Sequence, residues 1–75
     1  MAMNKDEAHR QIMARVRERF EKSGMSLHDL GIKMDYPPES ARKSAWQFIQ
    51  KTDDPRISML IRFAKAMGIS VKSLL

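Results

Sequence analysis

Hydrophobic residues recur along this chain at helical spacing, and the pattern predicts an all-α domain. In the first segment, residues 6–23, one apolar stripe runs through a charged stretch. Its members are Ala8, Ile12, Met13, Val16 and Phe20. Positions three and four residues apart share one face of a helix, so the stripe predicts an amphipathic helix. Gly24 follows and is expected to end that helix in a left-handed conformation.

A second, short helix is predicted for the segment SLHDLGIKM. Ser26 begins it, because its hydroxyl can accept hydrogen bonds from free first-turn amides, and Asp29 favours the positive helix end. The residues expected to face inward are Leu27, Leu30, Gly31 and Met34. Because Gly31 has no side chain, we expect this helix to cross a neighbour at close range. The sequence DYPP ends it, since Pro37 disfavours helical geometry at Tyr36.

Three further helical segments complete the pattern. The third is predicted to span Pro38–Lys51 and to end at the segment KTDDP. The fourth is expected to begin with Asp54 as N-cap and Pro55 as first residue, and to end at Gly68. Its predicted inward residues are Ile57, Leu60, Ile61, Ala64 and Met67, with Phe63 flanking them. The last segment, SVKSLL, predicts a turn capped by Ser70, which makes five helices and no strands.

The third helix is predicted to have one face toward the core and one face exposed to solvent. With about 100° of rotation per residue, one side collects Ala41, Ala45, Phe48, Ile49 and Thr52. The opposite side carries six residues, called the polar strip below: Glu39, Arg42, Lys43, Trp46, Gln47 and Gln50. An exposed tryptophan beside cationic residues suggests contact with a partner, with Arg42 stacking on the indole. The alternative is that Trp46 closes the core edge against the second or fourth helix.

Composition narrows the class of protein. Seventy-five residues make one domain near the lower limit for a single core. We assign residues 6–75 to that domain and residues 1–5 to a flexible N-terminus. The absence of cysteine excludes disulfides and thiolate metal sites and suits a reducing compartment. No apolar run approaches a membrane span, and MAMNKDEAHR is polar where a signal peptide is apolar. We therefore expect a cytoplasmic protein without membrane contact.

Charge is distributed unevenly between the two halves of the chain. The net charge is +5. Residues 1–36 hold seven Lys/Arg against six Asp/Glu, which gives +1, and residues 37–75 hold seven against three, which gives +4. A basic second half suggests a polyanionic partner, while an ordinary solvated surface is the alternative interpretation.

Two segments match the pattern of a known family. The closing DPRISMLIRFAKAMGISVKSLL follows its order of Pro, apolar residues, Leu, Ala-Lys-Ala, Gly, Ile/Val-Ser and Leu-Leu. Upstream, SGMSLHDLGIKMDY is similar to its Gly-apolar-Ser-x-x-Asp/Glu-Leu-Ala-x-x-apolar-Gly segment. Residues 12–75 thus resemble the Cro/C1-type, XRE-family helix-turn-helix domain. The resemblance implies a compact five-helix, lambda-repressor-like fold that binds double-stranded DNA in a prokaryotic or phage transcriptional regulator.

The chain departs from the family pattern around its third helix. Gly31 stands where Ala is usual, and Asp35 stands where the turn has Gly. The segment between Asp35 and Pro55 is about four residues longer than the common pattern, and PPE replaces the usual Ser/Thr-Gln pair. The base-reading roles below therefore rest on the helical wheel rather than on family positions.

In the fold that the resemblance implies, the second helix crosses the phosphate backbone and the third enters the major groove. The polar strip then becomes the base-reading surface. Arg42 and Lys43 are assigned to guanine O6/N7, Gln47 to adenine and Glu39 to cytosine N4, while Trp46 covers a thymine methyl or a deoxyribose. Contact of the two cations with phosphate, and a helix-stabilising role for Glu39, remain open alternatives.

Phosphate anchoring is assigned to residues at the ends of the second and third helices. These are Ser26, His28, Lys51 and Arg56; for Ser26 a purely capping role is the alternative. One domain covers few base pairs, so we expect a homodimer, at least on DNA. SVKSLL and Phe63 are candidates for the dimer interface. Val71 and Leu74 equally suit a lid over the core, so only Leu75 is not needed for the core.

Other function classes fit the sequence less well. We expect no enzyme, cofactor or metal site, because there is no cysteine nucleophile or Gly-rich phosphate loop, and His9 and His28 lie on different helices. A protein-interaction module is the main rival, since proteins resembling this one also act as antitoxins that bind a toxin or as regulators that meet polymerase. RNA binding is less favoured, because one exposed aromatic makes no stacking platform.

Overall fold

A computed structural model describes residues 5–75 of the chain, with side chains from Glu7 onward. It contains four α-helices, Lys5–Ser23 (α1), Leu27–Lys33 (α2), Ala41–Lys51 (α3) and Ile57–Met67 (α4). A 3₁₀ turn, Val71–Leu74, follows them. No strand occurs within residues 5–75, so the predicted all-α class is confirmed, but the expected fifth helix is this single 3₁₀ turn. The predicted flexible segment, residues 1–5, lies outside the described residues except for the backbone of Lys5, which begins α1.

A single apolar core joins the four helices and the 3₁₀ turn. Its largest fully buried side chains are Met13, Val16, Leu30, Met34, Ile49, Leu60, Phe63 and Leu74. The stripe predicted on α1 supplies Met13 and Val16, with Ile12 and Phe20 packed against its margin. The rings of Phe48 and Phe63 lie 5.8 Å apart at an angle of 44°, which fixes α3 against α4. Leu74 closes the core, so the lid interpretation of the last segment is confirmed.

The inward face of α4 is centred on Phe63 rather than beside it. Phe63 is fully buried, whereas Ile57 and Ile61, predicted to face inward, are 60% and 41% exposed. The face that packs is Leu60, Phe63, Ala64 and Met67, at the i, i+3, i+4 and i+7 spacing of one helical stripe. The large Phe63 ring sets this phase through its contact with Phe48. Phe63 is therefore unavailable as the interface residue that the sequence suggested.

Glycines end two helices as predicted. Gly24 follows α1 with φ of 68°, and Gly68 follows α4 with φ of 70°. After α4, the Gly68 amide donates to Lys65 O and the Ile69 amide to Ala64 O, which satisfies carbonyls that the helix leaves unpaired. At the end of α3 a side chain takes this role, because Arg17 Nε of α1 donates to Ile49 O over 2.8 Å.

Helices α2 and α3 pack closely against each other. Ser26 caps α2 as predicted, with its Oγ accepting from the Asp29 amide at 3.0 Å. A β-carbon on Gly31 would overlap the carbonyl group of Ala41, so the backbones touch where the side chain is missing. This confirms the close crossing expected from Gly31. Asp35 follows α2 in a left-handed conformation, with φ of 69°, at the position where the family pattern has glycine.

The third helix begins three residues later than predicted. Pro38 was expected at its start, but residues 38–40 form a turn and α3 begins at Ala41. The Ser40 amide donates to Pro37 O over 3.0 Å, closing a four-residue turn. Proline suits the second position of such a turn as well as it suits a first helical turn, and here the turn is formed.

The fourth helix also begins later than its sequence signal. Arg56, not Asp54, is the N-cap, and Ile57, not Pro55, is the first helical residue. The Asp54 carboxylate instead lies 3.3 Å from His9 Nδ1 of α1. Pro55 is buried in the loop. Both side chains thus hold the α3–α4 connection against the body of the domain rather than starting a helix.

Candidate nucleic-acid interface

The exposed face of α3 and the turn before it carry all six residues of the polar strip. Every one of them is exposed, while Ala41, Ala45, Phe48 and Ile49 on the other side are buried. The helical wheel is therefore confirmed for both faces. Thr52, predicted inward, is half-buried just beyond the helix, where its Oγ1 donates to Gln47 O at 3.3 Å.

Trp46 lies on the wet face with 42% of its surface exposed. The alternative, that it closes the core edge, is not what the structure shows. A cation does stack on its ring, but it comes from Lys51 rather than Arg42: Lys51 Nζ lies 5.4 Å from the ring centroid. The sequence assigned Lys51 to phosphate anchoring near the following loop. In the structure Lys51 is the last residue of α3 and lies next to the polar strip.

One flank of α3 forms a groove with the start of α2. This apolar groove, as we call it below, has a volume of about 430 Å³ and is lined by Leu27, Glu39, Arg42, Lys43 and Trp46. Leu27 and Trp46 supply its hydrocarbon surface, and the two cations and the carboxylate stand around them. Four strip residues are thus gathered on one side of the helix together with a side chain from α2.

The other flank of α3 forms a second groove, with the α2–α3 turn and the start of α4. This polar groove has a volume of about 330 Å³. Its polar side chains are Tyr36, Ser44, Gln47, Thr52, Asp54 and Arg56. The Tyr36 hydroxyl donates to Met59 Sδ at 3.6 Å, which holds the turn beside α4. The structure thereby brings Gln47 of the strip and Arg56, a predicted phosphate contact, to one groove.

The residues assigned to phosphate are exposed but lie in different places. Arg56 lines the polar groove, and Lys51 lies over Trp46. Ser26 and His28 are exposed at the start of α2, next to Leu27 of the apolar groove. The Ser26 oxygen accepts the Asp29 amide, so its capping role is confirmed, while its hydroxyl hydrogen is free to donate.

Several residues that line these grooves have no role in the sequence interpretation of the site, among them Leu27, Tyr36 and Ser44. Leu27 was expected in the core and is only half-buried, Tyr36 was treated as the end of a helix, and Ser44 was not considered. Leu27 and Tyr36 meet α3 residues only through the α2–α3 packing, which helical periodicity does not describe, whereas Ser44 lies on α3 itself. The signal that pointed there was Gly31, because a close helix crossing brings the start of α2 beside the middle of α3.

The electrostatics of this surface are cationic. Helix α3 contains Arg42, Lys43 and Lys51 and no acidic residue. The ion pairs found between described residues, His9–Asp54 and Lys22–Glu18, lie outside the polar strip. One of these pairs is on α1, where the hydrogen bond from Lys22 lowers the pKa of the Glu18 carboxyl. Because neither pair involves Arg42 or Lys43, these strip cations remain available for an external anion.

Comparison with protein-family models, curated proteins and solved structures finds no match to this chain. Within residues 5–75, no helix has the length and apolar character needed to cross a membrane. In the same range no cluster of three or more His, Asp or Glu side chains is placed to hold a metal ion. Function is therefore inferred from the surface formed by α3 and its two grooves.

Proposed function

We propose that this chain is a sequence-specific double-stranded DNA-binding domain of the helix-turn-helix, lambda-repressor-like type. In this proposal it belongs to the XRE-like regulators that it resembles, and it acts in the cytoplasm of a prokaryote or in phage regulation. Helix α3 reads the major groove, and no catalytic step or cofactor is involved. The domain binds as a homodimer on DNA, because one copy spans too few base pairs for useful specificity.

The observation that carries the proposal is the exposed face of α3. Six hydrogen-bonding or aromatic side chains stand on it and on the turn before it, and α3 itself places no carboxylate among the cations Arg42, Lys43 and Lys51. In the major groove guanine presents two acceptors, which Arg and Lys match, and adenine presents an acceptor beside a donor, which Gln matches. A helix with this face suits a groove lined by phosphates and base edges.

The packing of α2 against α3 also supports a helix-turn-helix unit. The Gly31–Ala41 contact brings the two helices together directly after a tight turn at Asp35. Two buried side chains, Leu30 of α2 and Met34 directly after it, hold this pair on the core. The second helix of such a unit is then supported as a rigid body, which base reading requires.

A protein partner, such as a toxin or polymerase, is the second candidate. The observation that favours it is the exposure of Ile57 and Ile61, one turn apart on α4. Two adjacent exposed isoleucines are a small apolar patch of the kind that protein interfaces use. In this alternative the cationic α3 face would play no part in specificity.

The test is enrichment from random genomic fragments. The chain is titrated against the fragments at rising salt, and the retained DNA is sequenced. We expect one related set of sequences to persist at salt concentrations that remove the bulk, because base contacts survive when phosphate contacts are screened. Retention that disappears uniformly with salt and enriches nothing would refute specific reading and leave the protein-partner alternative.

Two matched variants locate the reading surface. Arg42→Ala on α3 and Arg19→Ala on α1 remove the same charge, and Arg19 is exposed outside both α3 grooves. We expect Arg42→Ala to weaken binding to the enriched sequence by about 5- to 150-fold, as the loss of one base contact of about 1–3 kcal/mol implies. Arg19→Ala is expected to bind like the unaltered chain. Equal effects of both would mean that only total charge matters.

A further inference from the structure

The apolar groove combines hydrocarbon and cationic groups in a way that plain phosphate binding does not require. Leu27 and Trp46 provide its apolar surface, and Arg42 and Lys43 stand beside them. Trp46 is held from one side, because the Lys51 ammonium lies over its ring. A tryptophan stacked in this way keeps its remaining exposed surface for a ligand in the groove.

The size and charge of the groove select among possible occupants. A partner helix binds through several apolar anchors spaced over two turns, whereas this groove offers two apolar side chains from different helices. Around it stand two cations, Arg42 and Lys43, and one carboxylate, Glu39. The net positive charge that remains also favours an occupant that carries acceptors and lies near negative charge. A single methyl group attached to a ring with carbonyl oxygens, close to phosphates, meets both conditions.

We infer that the apolar groove is a thymine-selective subsite, in which Leu27 and Trp46 contact the C5-methyl group of one thymine. Thymine presents this methyl and the O4 acceptor together in the major groove. In this inference Arg42 or Lys43, which line the same groove, donates a hydrogen bond to O4. The inference rests on the proposed function, and it adds Leu27 of α2 as a specificity-determining residue beside α3.

The experiment uses the sequence enriched in the genomic selection. Each thymine of the bound segment is replaced in turn by deoxyuridine, which removes only the methyl group, and the Kd is measured by fluorescence anisotropy of labelled duplex. At one position we expect about fourfold weaker binding, the effect of one methyl group leaving an apolar contact. In Trp46→Ala and in Leu27→Ala, the same replacement is expected to have no effect.

Ile61→Ala is the matched control, since Ile61 is a large apolar side chain about as exposed as Trp46 but outside the groove. It is expected to keep the full deoxyuridine penalty. Circular dichroism of each variant checks that it is folded. As a second readout, the enriched duplex is expected to protect Trp46 fluorescence from acrylamide quenching.

The outcomes separate this inference from the proposed function. If no sequence is enriched, the DNA-reading proposal itself fails. If a sequence is enriched but no deoxyuridine duplex binds more weakly, or the penalty persists in Trp46→Ala, the thymine subsite is wrong and the proposed function stands. A gain on replacing a cytosine by 5-methylcytosine, with no deoxyuridine penalty, would likewise overturn the assignment to thymine.

Discussion

Asp35 is the residue whose backbone conformation is least suited to its side chain. It is the non-glycine residue with positive φ in the described chain, at 69°, and it lies two residues after the end of α2. Its amide donates to Ile32 O and the next amide, from Tyr36, donates to Gly31 O, so the left-handed turn is what satisfies the end of the helix. An L-residue held there costs about 1–2 kcal/mol relative to right-handed backbone.

Replacing Asp35 by Gly should therefore stabilise the domain by about 0.5–1 kcal/mol, after the greater freedom of glycine in the unfolded chain is subtracted. For a domain of this size that corresponds to a rise in Tm of about 2–8 °C. Thermal unfolding followed by circular dichroism measures it. Asp35→Ala removes the same charge but keeps a β-carbon, and it should lower the Tm. A rise in both variants would attribute the effect to charge instead.

At the scale of elements, the crossing of α2 and α3 fixes the orientation of the candidate reading helix. Ala41 O occupies the space that a β-carbon on Gly31 would need. The contact is between backbones, so neither partner can yield by rotating a side chain. At the far end of α3, the hydrogen bond from Arg17 to Ile49 O ties the helix to α1. The helix is thus located at its first turn by sterics and at its last turn by a hydrogen bond.

Gly31→Ala and Gly24→Ala compare this contact with an open position. A β-carbon added at Gly24 would meet no atom within 4 Å, so alanine there costs only its positive φ, about 1–2 kcal/mol. Gly31→Ala must push α3 away, and we expect a loss of about 3 kcal/mol or more with altered NMR shifts throughout α3. Urea denaturation and two-dimensional NMR measure both. Unchanged α3 shifts in Gly31→Ala would contradict the close approach.

The phases of α1 and α3 could be predicted from the sequence because each depends on one repeating pattern, whereas the phase of α4 could not, since Phe63 and not Ile57 or Ile61 packs inward. The faces of α1 and α3 follow from spacing alone, and Gly31 correctly predicted the tight crossing. The starts of α3 and α4 could not be predicted, since Pro38 suits a turn as well as a helix and the Asp54 carboxylate meets His9 from a distant segment. The grooves were missed for the same reason, because their walls come from separate elements.

The whole molecule concentrates positive charge in its second half, at +4 against +1 for the first. In the proposed function the cations Arg42, Lys43 and Lys51 on α3 draw this helix toward the polyanion. Long-range attraction of this kind carries no sequence information. In the proposed function it determines the association rate and the non-specific affinity for any DNA, and the α3 face determines the sequence preference.

Salt dependence separates these two contributions. Arg56→Ala should weaken binding to enriched and to random DNA by the same factor and reduce the slope of log K against log salt by about 0.9, the release of one counterion. Arg19→Ala on α1 should leave the slope unchanged. Titrations at several salt concentrations measure both. An Arg56→Ala effect confined to the enriched sequence would instead make Arg56 a base contact.

The missing β-carbon of Gly31 also limits how this domain can be engineered. Exchanging recognition helices between helix-turn-helix scaffolds assumes that the supporting helix is interchangeable, which fails where the scaffold has a β-carbon at the site of Gly31. A transplant of residues 41–51 alone would place the Ala41 carbonyl against a methyl group and tilt the transplanted helix. Gly31 and Ala41 should therefore be moved together in any chimera that is built to test the proposed DNA binding of α3.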